Sequence, residues 1–428
     1  MIKIYIRQAL TLIKQNKLYS FIYIMGTGLS VALIMIVFII YYIKFAPIYP
    51  ENNRNNTLVF KCIDKIDNQD SNNSGNLSYS LCSKVLGNIK GVKDIAIEGR
   101  FSNSGSGYVI NMPKGKDNIT VDLTHTNGGF WKVFTFNFIS GKPYTEADLE
   151  ANNKCAVICE SIAKAVYGSA NVAGRELTIN GDRYKISGVV KDVSAAMSAT
   201  YSEVWTTTSK EAMKSPDEDN LLGRYSCYMT INENSTKDAV RSEIQSYFKR
   251  LNNTNKNFKV NIMNQPDDYW QSTFRYWTNE GPNIKEIITD FLIMMFALLF
   301  VPALNLCGLI SSRMENRLCE MGIRKTFGAR KNSLILQVVC ENLALTAIGA
   351  VAGLLLSYIV VLISSDWILN IFSDGGAINT HITFNMLFNP IIIGIAIVTC
   401  MILNLLSAVI PASLSLRHNI IYSLNTKR

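Results

Sequence analysis

Apolar residues fall in long unbroken blocks separated by mixed sequence. Residues 18–43 (LYSFIYIMGTGLSVALIMIVFIIYYI) carry no charge, and neither do 291–312, 342–365 and 382–416. A membrane-spanning helix needs about 20 apolar residues, because a ~30 Å hydrocarbon core is crossed at ~1.5 Å per residue. The pattern predicts four transmembrane helices, at 18–46, 287–312, 334–365 and 390–412. Ahead of them, Ile2, Ile6, Ala9, Leu10 and Ile13 recur at helical spacing beside Lys3, Arg7, Lys14 and Lys17. Residues 1–17 are therefore expected to form a basic amphipathic helix on the membrane surface. The apolar run that follows is longer than the ~7–15 residues of a signal-peptide core and lacks a small-x-small cleavage site. An uncleaved anchor is expected, stopped by Pro47 and Pro50.

Residues 47–286 lose the long apolar blocks and show short strand and helix patterns. LTINGDRYKISGVVKDV (177–193) alternates around an Asn-Gly pair, which predicts a hairpin. CAVICESIAKAVYG (155–168) predicts a strand running into a helix closed by Gly168. Segments 78–90 and 236–251 have helical spacing, the second with Thr236 as N-cap. The Asn- and Ser-rich stretch 67–76 is expected to be a loop. The chain thus reads as an α-helical membrane protein with four transmembrane helices and a large mixed α/β extracytoplasmic domain between helices 1 and 2. Residues 366–389 would be a short external loop and 413–428 a cytoplasmic tail. Within the spans, Pro302 is expected to kink helix 2 or seat it against a neighbour. Gly349 and Gly353 form a G-x-x-x-G pattern that allows close helix packing. Asn389 and Pro390 make a cap and first-turn pair, and Pro411 marks the inner end of helix 4.

Charge orients this arrangement. Residues 1–17, 313–333 and 413–428 hold thirteen basic residues against Glu315 and Glu320, a surplus of 11, so the rest of the chain sums to −2 and the net charge is +9. Short basic loops stay on the cytoplasmic side, so both termini and 313–333 are placed there and 47–286 outside. The basic excess is then a topology signal and calls for no nucleic-acid partner. Five external cysteines, an odd number, argue against a complete disulfide framework. Cys155 and Cys159 would lie ~13 Å apart on a strand, too far to bridge. No clustered histidine points to a metal site. His125, His381 and His418 read as isolated surface residues, and neither a nucleophile motif nor a P-loop is present.

What remains is RMENRLCEMGIRKTFGARKNSLILQVVCE (313–341). Arg317, Glu320 and Arg324 share one helix face, and Cys319, Ile323 and Phe327 form an apolar stripe beside them. Gly328 is placed as a C-cap and Ser333 as the N-cap of the next helix. A short helix, a basic turn and a re-entering helix follow, a shape suited to a partner's groove.

Here the sequence resembles the MacB/FtsX-type permeases of ABC transporters. Glu315, Arg317, Glu320, Gly322, Ile323, Arg324, Gly328 and Ala329 match their E-R-x-x-E-x-G-I-x-x-x-x-G-A pattern, with a one-residue shift between Glu315 and Arg317. Leu334, Gln337, Glu341, Gly349 and Gly353 extend the match. GGFWKVFTFNFISGKPYT, the 155–193 region and the segment around Pro411 and Leu424 are similar to other parts of the family, while 200–285 match least. The resemblance implies a bacterial inner-membrane permease pairing with a second permease chain, identical or paralogous, and with cytoplasmic ABC ATPase subunits. Those subunits would hold ATP and Mg, and this chain no cofactor and no catalytic site. The segment 315–328 would be the coupling helix, with Arg330 and Lys331 on lipid headgroups or a partner. An adaptor or outer-membrane factor would complete an exporter of peptide, lipoprotein or toxic compound. The alternatives are a scaffold activating a periplasmic cell-wall hydrolase and a receptor without an ATPase. A bacitracin-type detoxification permease would need about ten spans against the four predicted.

Overall fold

The computed structural model describes residues 17–67, 71–100, 107–112, 117–217, 219–275, 281–316, 323–324, 326–364 and 387–415. The chain divides into two compact units, one built on Ile43–Ile284 and the other on the helices to either side of it.

The first unit is α/β. In chain order its strands are β1 (Thr57–Phe60), β2 (Cys62–Asp67), β3 (Asn72–Leu77), β4 (Val92–Gly99), β5 (Tyr108–Ile110), β6 (Ile119–Val121), β7 (Leu123–Thr126), β8 (Phe138–Gly141), β9 (Cys155–Cys159) and β10 (Glu176–Ile179). They continue as β11 (Asp182–Val190), β12 (Val204–Thr207), β13 (Leu222–Gly223), β14 (Tyr225–Ile231), β15 (Phe258–Asn261) and β16 (Asp267–Asp268). The main order is β15-β2-β3-β14-β4-β7-β12-β9-β11-β10-β5-β6. Pairing is antiparallel except for β9 with β11 and β7 with β12. β9 is buried at every position, as its unbroken apolar sequence requires of a strand flanked on both edges.

Several local patterns appear as the sequence predicts. Asn180 and Gly181 take positive φ between β10 and β11. Gly168 closes the helix Glu160–Tyr167 at φ 73°. Thr236 Oγ1 accepts the Ala239 amide at 3.2 Å, capping the helix Lys237–Thr254. Other expectations fail. The 67–76 stretch is not a loop throughout: β3 pairs antiparallel with β2 from Asn76 to Asn72. Its polar side chains lie outward while its backbone completes the ladder, so composition reported exposure and not pairing. Segment 78–90 is no regular α-helix; a π-helical turn, Leu81–Val85, runs into a 3₁₀ turn, Leu86–Asn88. The changing pitch turns Leu81, Cys82 and Leu86 into the core. His125 is part-buried and not isolated. It lies on β7 with Nδ1 3.0 Å from Thr206 Oγ1, and burial pushes its imidazole down to about 4. The five cysteines of this unit are all buried free thiols.

The core packs around the aromatic segment 130–138. Trp131, Phe136 and Trp205 meet at ring-centroid distances of 5.0 to 6.1 Å. The segment enters through Gly129, where a Cβ would sit 2.1 Å from the Ile95 carbonyl oxygen.

Among the described residues, the second unit is built on four long helices, the first of which runs on into the α/β unit: α1 (Lys17–Phe45), α2 (Ile284–Asn316), α3 (Lys331–Ile363) and α4 (Pro390–Ser415). Among the described residues, Lys17–Phe45 and Asn332–Ile363 are long and apolar enough to cross a membrane. α2 continues through Pro302 and α4 runs past Pro411 to Ser415. Pro411 therefore does not end its helix; a proline removes one ladder bond, and neighbouring turns carry the helix on. Asn389 Oδ1 accepts the amide of Ile391 at 2.9 Å, which starts α4 as its cap. Residues 1–16, most of 366–389, and the tail from 416 lie outside the described residues.

Candidate functional site

The site is the turn joining α2 to α3 and the buried polar stripe on which it rests. Glu315 falls in the last turn of α2; Arg317, Glu320 and Gly322 lie outside the described residues. Ile323 and Arg324 are helical, and the Phe327 amide donates to the Ile323 carbonyl at 3.2 Å. Gly328 then takes φ +88° with nothing within 4 Å of its Cβ position. The Ala329 amide reaches back to the Arg324 carbonyl at 3.0 Å, the six-to-one bond of a Schellman turn. Glycine is used here for its backbone, since space is open and only the left-handed conformation excludes other residues.

Ser333 is not the cap of α3. Arg330 holds that position with ψ 141° and makes no side-chain cap bond, and Ser333 stands in the first turn with its amide on the Arg330 carbonyl. The helix starts where Ala329 packs against the core. Tyr23, Ile310, Leu334, Val338 and Leu345 from α1, α2 and α3 form a buried cluster, and Ala329 lies on it with Tyr19, Ile24 and Ile335.

Arg324 adds a polar tether. Its Nη1 donates to Gln337 Oε1 at 2.7 Å, and Gln337 Nε2 donates to Glu341 Oε1 at 3.0 Å. Gln337 and Glu341 are buried on the inner face of α3. A buried amide between a cation and a carboxylate satisfies both of its ends. Ile323 is half exposed and Phe327 is 88% exposed. The turn thus holds its back to the helices through Arg324 and Ala329 and offers a ring and an aliphatic side chain outward. Among the described residues no group of three or more His, Cys, Asp and Glu gathers as metal ligands do.

The glycine pair lies further along the same face of α3. A Cβ on Gly353 would stand 2.2 Å from the Gly28 carbonyl oxygen, and one on Gly349 1.9 Å from Thr27 Oγ1. Tyr23 Oη and Thr346 Oγ1 are 3.2 Å apart on this interface. Sequence reasoning missed Thr27, Tyr23 and Thr346. Their available signal was polarity inside an apolar run.

The family description "MacB-like periplasmic core domain" matches residues 20–247, and "FtsX-like permease C-terminal" matches residues 292–420. The ABC transporter permease YknZ of Bacillus subtilis is 23% identical over 233 residues, 54% of this chain and 55% of that protein. The macrolide export ATP-binding/permease protein MacB of Bdellovibrio bacteriovorus is 22% identical over 282 residues, 65% of this chain and 41% of its own length. This chain therefore spans only about half of these relatives. Among solved structures, the periplasmic region of MacB from Actinobacillus actinomycetemcomitans aligns with 54% of this chain and 98% of its own length, at 19% identity and a TM-score of 0.37. The extracellular domain of YknZ aligns with 48% and 100%, at 14% identity and a TM-score of 0.33. Two permease-family descriptions, one covering more than half of the residues, identify the chain as a member of the MacB/FtsX-type permease family of ABC transporters.

Proposed function

We propose that this chain is a mechanotransmitting permease subunit, coupling ATP hydrolysis by separate cytoplasmic ATPase subunits to motion of its periplasmic domain. The observation that carries the proposal is the α2–α3 turn. It exposes Ile323 and Phe327, closes on Gly328, and is tied through Arg324 to the buried Gln337–Glu341 pair. A partner pushing on the exposed side chains would move α3 directly, because the tether is short and anchored on buried groups. The full set of contact residues is Glu315, Arg317, Glu320, Gly322, Ile323, Arg324, Gly328 and Ala329. Four spans with both termini cytoplasmic put this turn on the ATPase side and the α/β domain outside, in a bacterial inner membrane. Two permease chains pair, and ATP with Mg is bound by the ATPases. The cargo is a peptide, lipoprotein or toxic compound handled at the outer face, with an adaptor or outer-membrane factor receiving it. MacB relatives are named for macrolide export, which supports the export class over the hydrolase-activating one.

The test is co-purification in mild detergent, followed by coupled assays in proteoliposomes. An ABC ATPase is expected to copurify with the chain. Arg324→Ala and Gly328→Val should insert normally, retain basal hydrolysis, and lose at least about tenfold of cargo-stimulated turnover. Full coupled activity in both variants would sink the assignment.

A further inference from the structure

The segment that leaves α1 carries a buried charge that the coupling turn does not use. Arg54 and Glu51 lie eight and five residues beyond Ala46, and both are almost completely buried. The last turn of α1, from Ile43, belongs to the α/β unit, so every contact described here lies within that unit. Arg54 Nη1 donates to the carbonyl oxygens of Ile43 at 2.6 Å and Ala46 at 2.7 Å. Its Nε donates to Glu51 Oε2 at 2.8 Å, and its Nη2 lies 2.6 Å from the same oxygen and 3.1 Å from Met197 Sδ. A guanidinium has five N–H donors in one plane, and these five contacts use the whole fork.

The carboxylate is held as firmly. Glu51 Oε1 accepts from Thr200 Oγ1 at 2.8 Å, and Oε2 accepts from the Tyr269 hydroxyl. The Tyr269 ring also lies under the guanidinium, 5.0 Å from Cζ to centroid. Neighbouring residues stitch the same segment to the aromatic core: Asn53 Nδ2 donates to the Val133 carbonyl and the Thr135 amide donates to the Pro50 carbonyl, each at 2.9 Å. The final carbonyls of a helix have no intrahelical partner, and a buried cation supplies one here. Burying a charge is unfavourable unless it is paired and its hydrogen bonds are made, and here they are.

We propose that Arg54 is a positioning residue that locks the outer end of α1 to the β core, so that displacement of this helix is delivered to the α/β domain without slack. This rests on the mechanotransmission proposed above. A lysine has three donors on one nitrogen and cannot hold the Ile43 and Ala46 carbonyls, a carboxylate and a thioether together.

The experiment uses the full chain in nanodiscs, diluted with unlabelled chain, with bioorthogonal spin labels at Leu29 and Gln245. Without nucleotide the wild type should give one narrow distance distribution. Arg54→Met and Arg54→Lys should at least double its width while the tryptophan emission of the domain is unchanged. An unchanged width in either folded variant overturns the clamp. Where Arg54→Met does not fold, Arg54→Lys decides the matter, and loss of folding in both would make Arg54 a stability residue and overturn the positioning role. With ATP and the copurified ATPase, the wild-type distance should shift and the Arg54→Lys shift should vanish although hydrolysis continues. A wild type that never shifts with ATP would count against mechanotransmission and leave the width result intact.

Discussion

Gly353 and Gly28 show how finely the α1–α3 contact is set at single residues. A methyl on Gly353 has a backbone oxygen 2.2 Å away, whereas one on Gly28 first meets the Gly349 carbonyl at 3.2 Å. Gly353→Ala should therefore destabilise the helical unit by ~2 kcal/mol, as overpacking does. Gly28→Ala should cost less. Gly394→Ala, with nothing within 4 Å, should be neutral or stabilising by up to about 1 kcal/mol through helix propensity. Melting curves of the three variants in one detergent would rank them, and any other order contradicts the packing. His125 supplies a pH prediction. Burial holds its imidazole down to about 4, while the unfolded chain binds the proton below about 6.5. The unfolded state then holds more protons between these values, so stability falls as pH drops through that window, by at most about 3 kcal/mol. Burial raises the carboxyl of Glu98, whose contribution has the opposite sign and grows as pH falls. The wild-type-minus-variant difference for His125→Gln isolates the histidine. A smaller loss of Tm from pH 7 to pH 5 is expected in the variant, and an identical slope would refute it.

At the scale of elements, caps and burial stripes decide where helices lie. The helix Lys237–Thr254 buries Val240, Ile244 and Phe248 at four-residue steps and starts at a threonine that accepts a backbone amide. Thr236→Ala should cost ~1 kcal/mol, a fall of about 2–4 °C for a domain of this size; calorimetry of the full chain measures it. This helix, its cap and the β10–β11 hairpin were legible because each depends on neighbours in sequence. β3 was not, since pairing of Asn72–Leu77 with β2 depends on backbone groups that side-chain composition does not report. The start of α3 was misplaced for a related reason. Ser333 has the chemistry of a cap, but the packing of Ala329 on a cluster drawn from three helices brings the turn in three residues earlier.

At the scale of the whole molecule, charge and apolar length make a topology prediction. A fluorescent protein fused after Arg428 should be fluorescent, and alkaline phosphatase inserted near residue 69 should be active; the reverse pattern would invert the chain and remove the ATPase-coupling role. Sequence alone determined the apolar blocks, the placement of an α/β domain between the first and second of them, the gathering of basic residues in three short segments, and the family pattern from Glu315 to Ala329. These are properties of composition and short-range order, and a membrane or a helix turn reads them directly. Only the tertiary structure decided that Arg324 reaches Gln337 and Glu341, that Gly349 and Gly353 face Thr27 and Gly28, and that Arg54 closes on the carbonyls of Ile43 and Ala46. Each of these joins groups through a bond whose direction depends on how the backbone has already turned. Spacing in a sequence carries the identity of such partners, and folding alone supplies their approach.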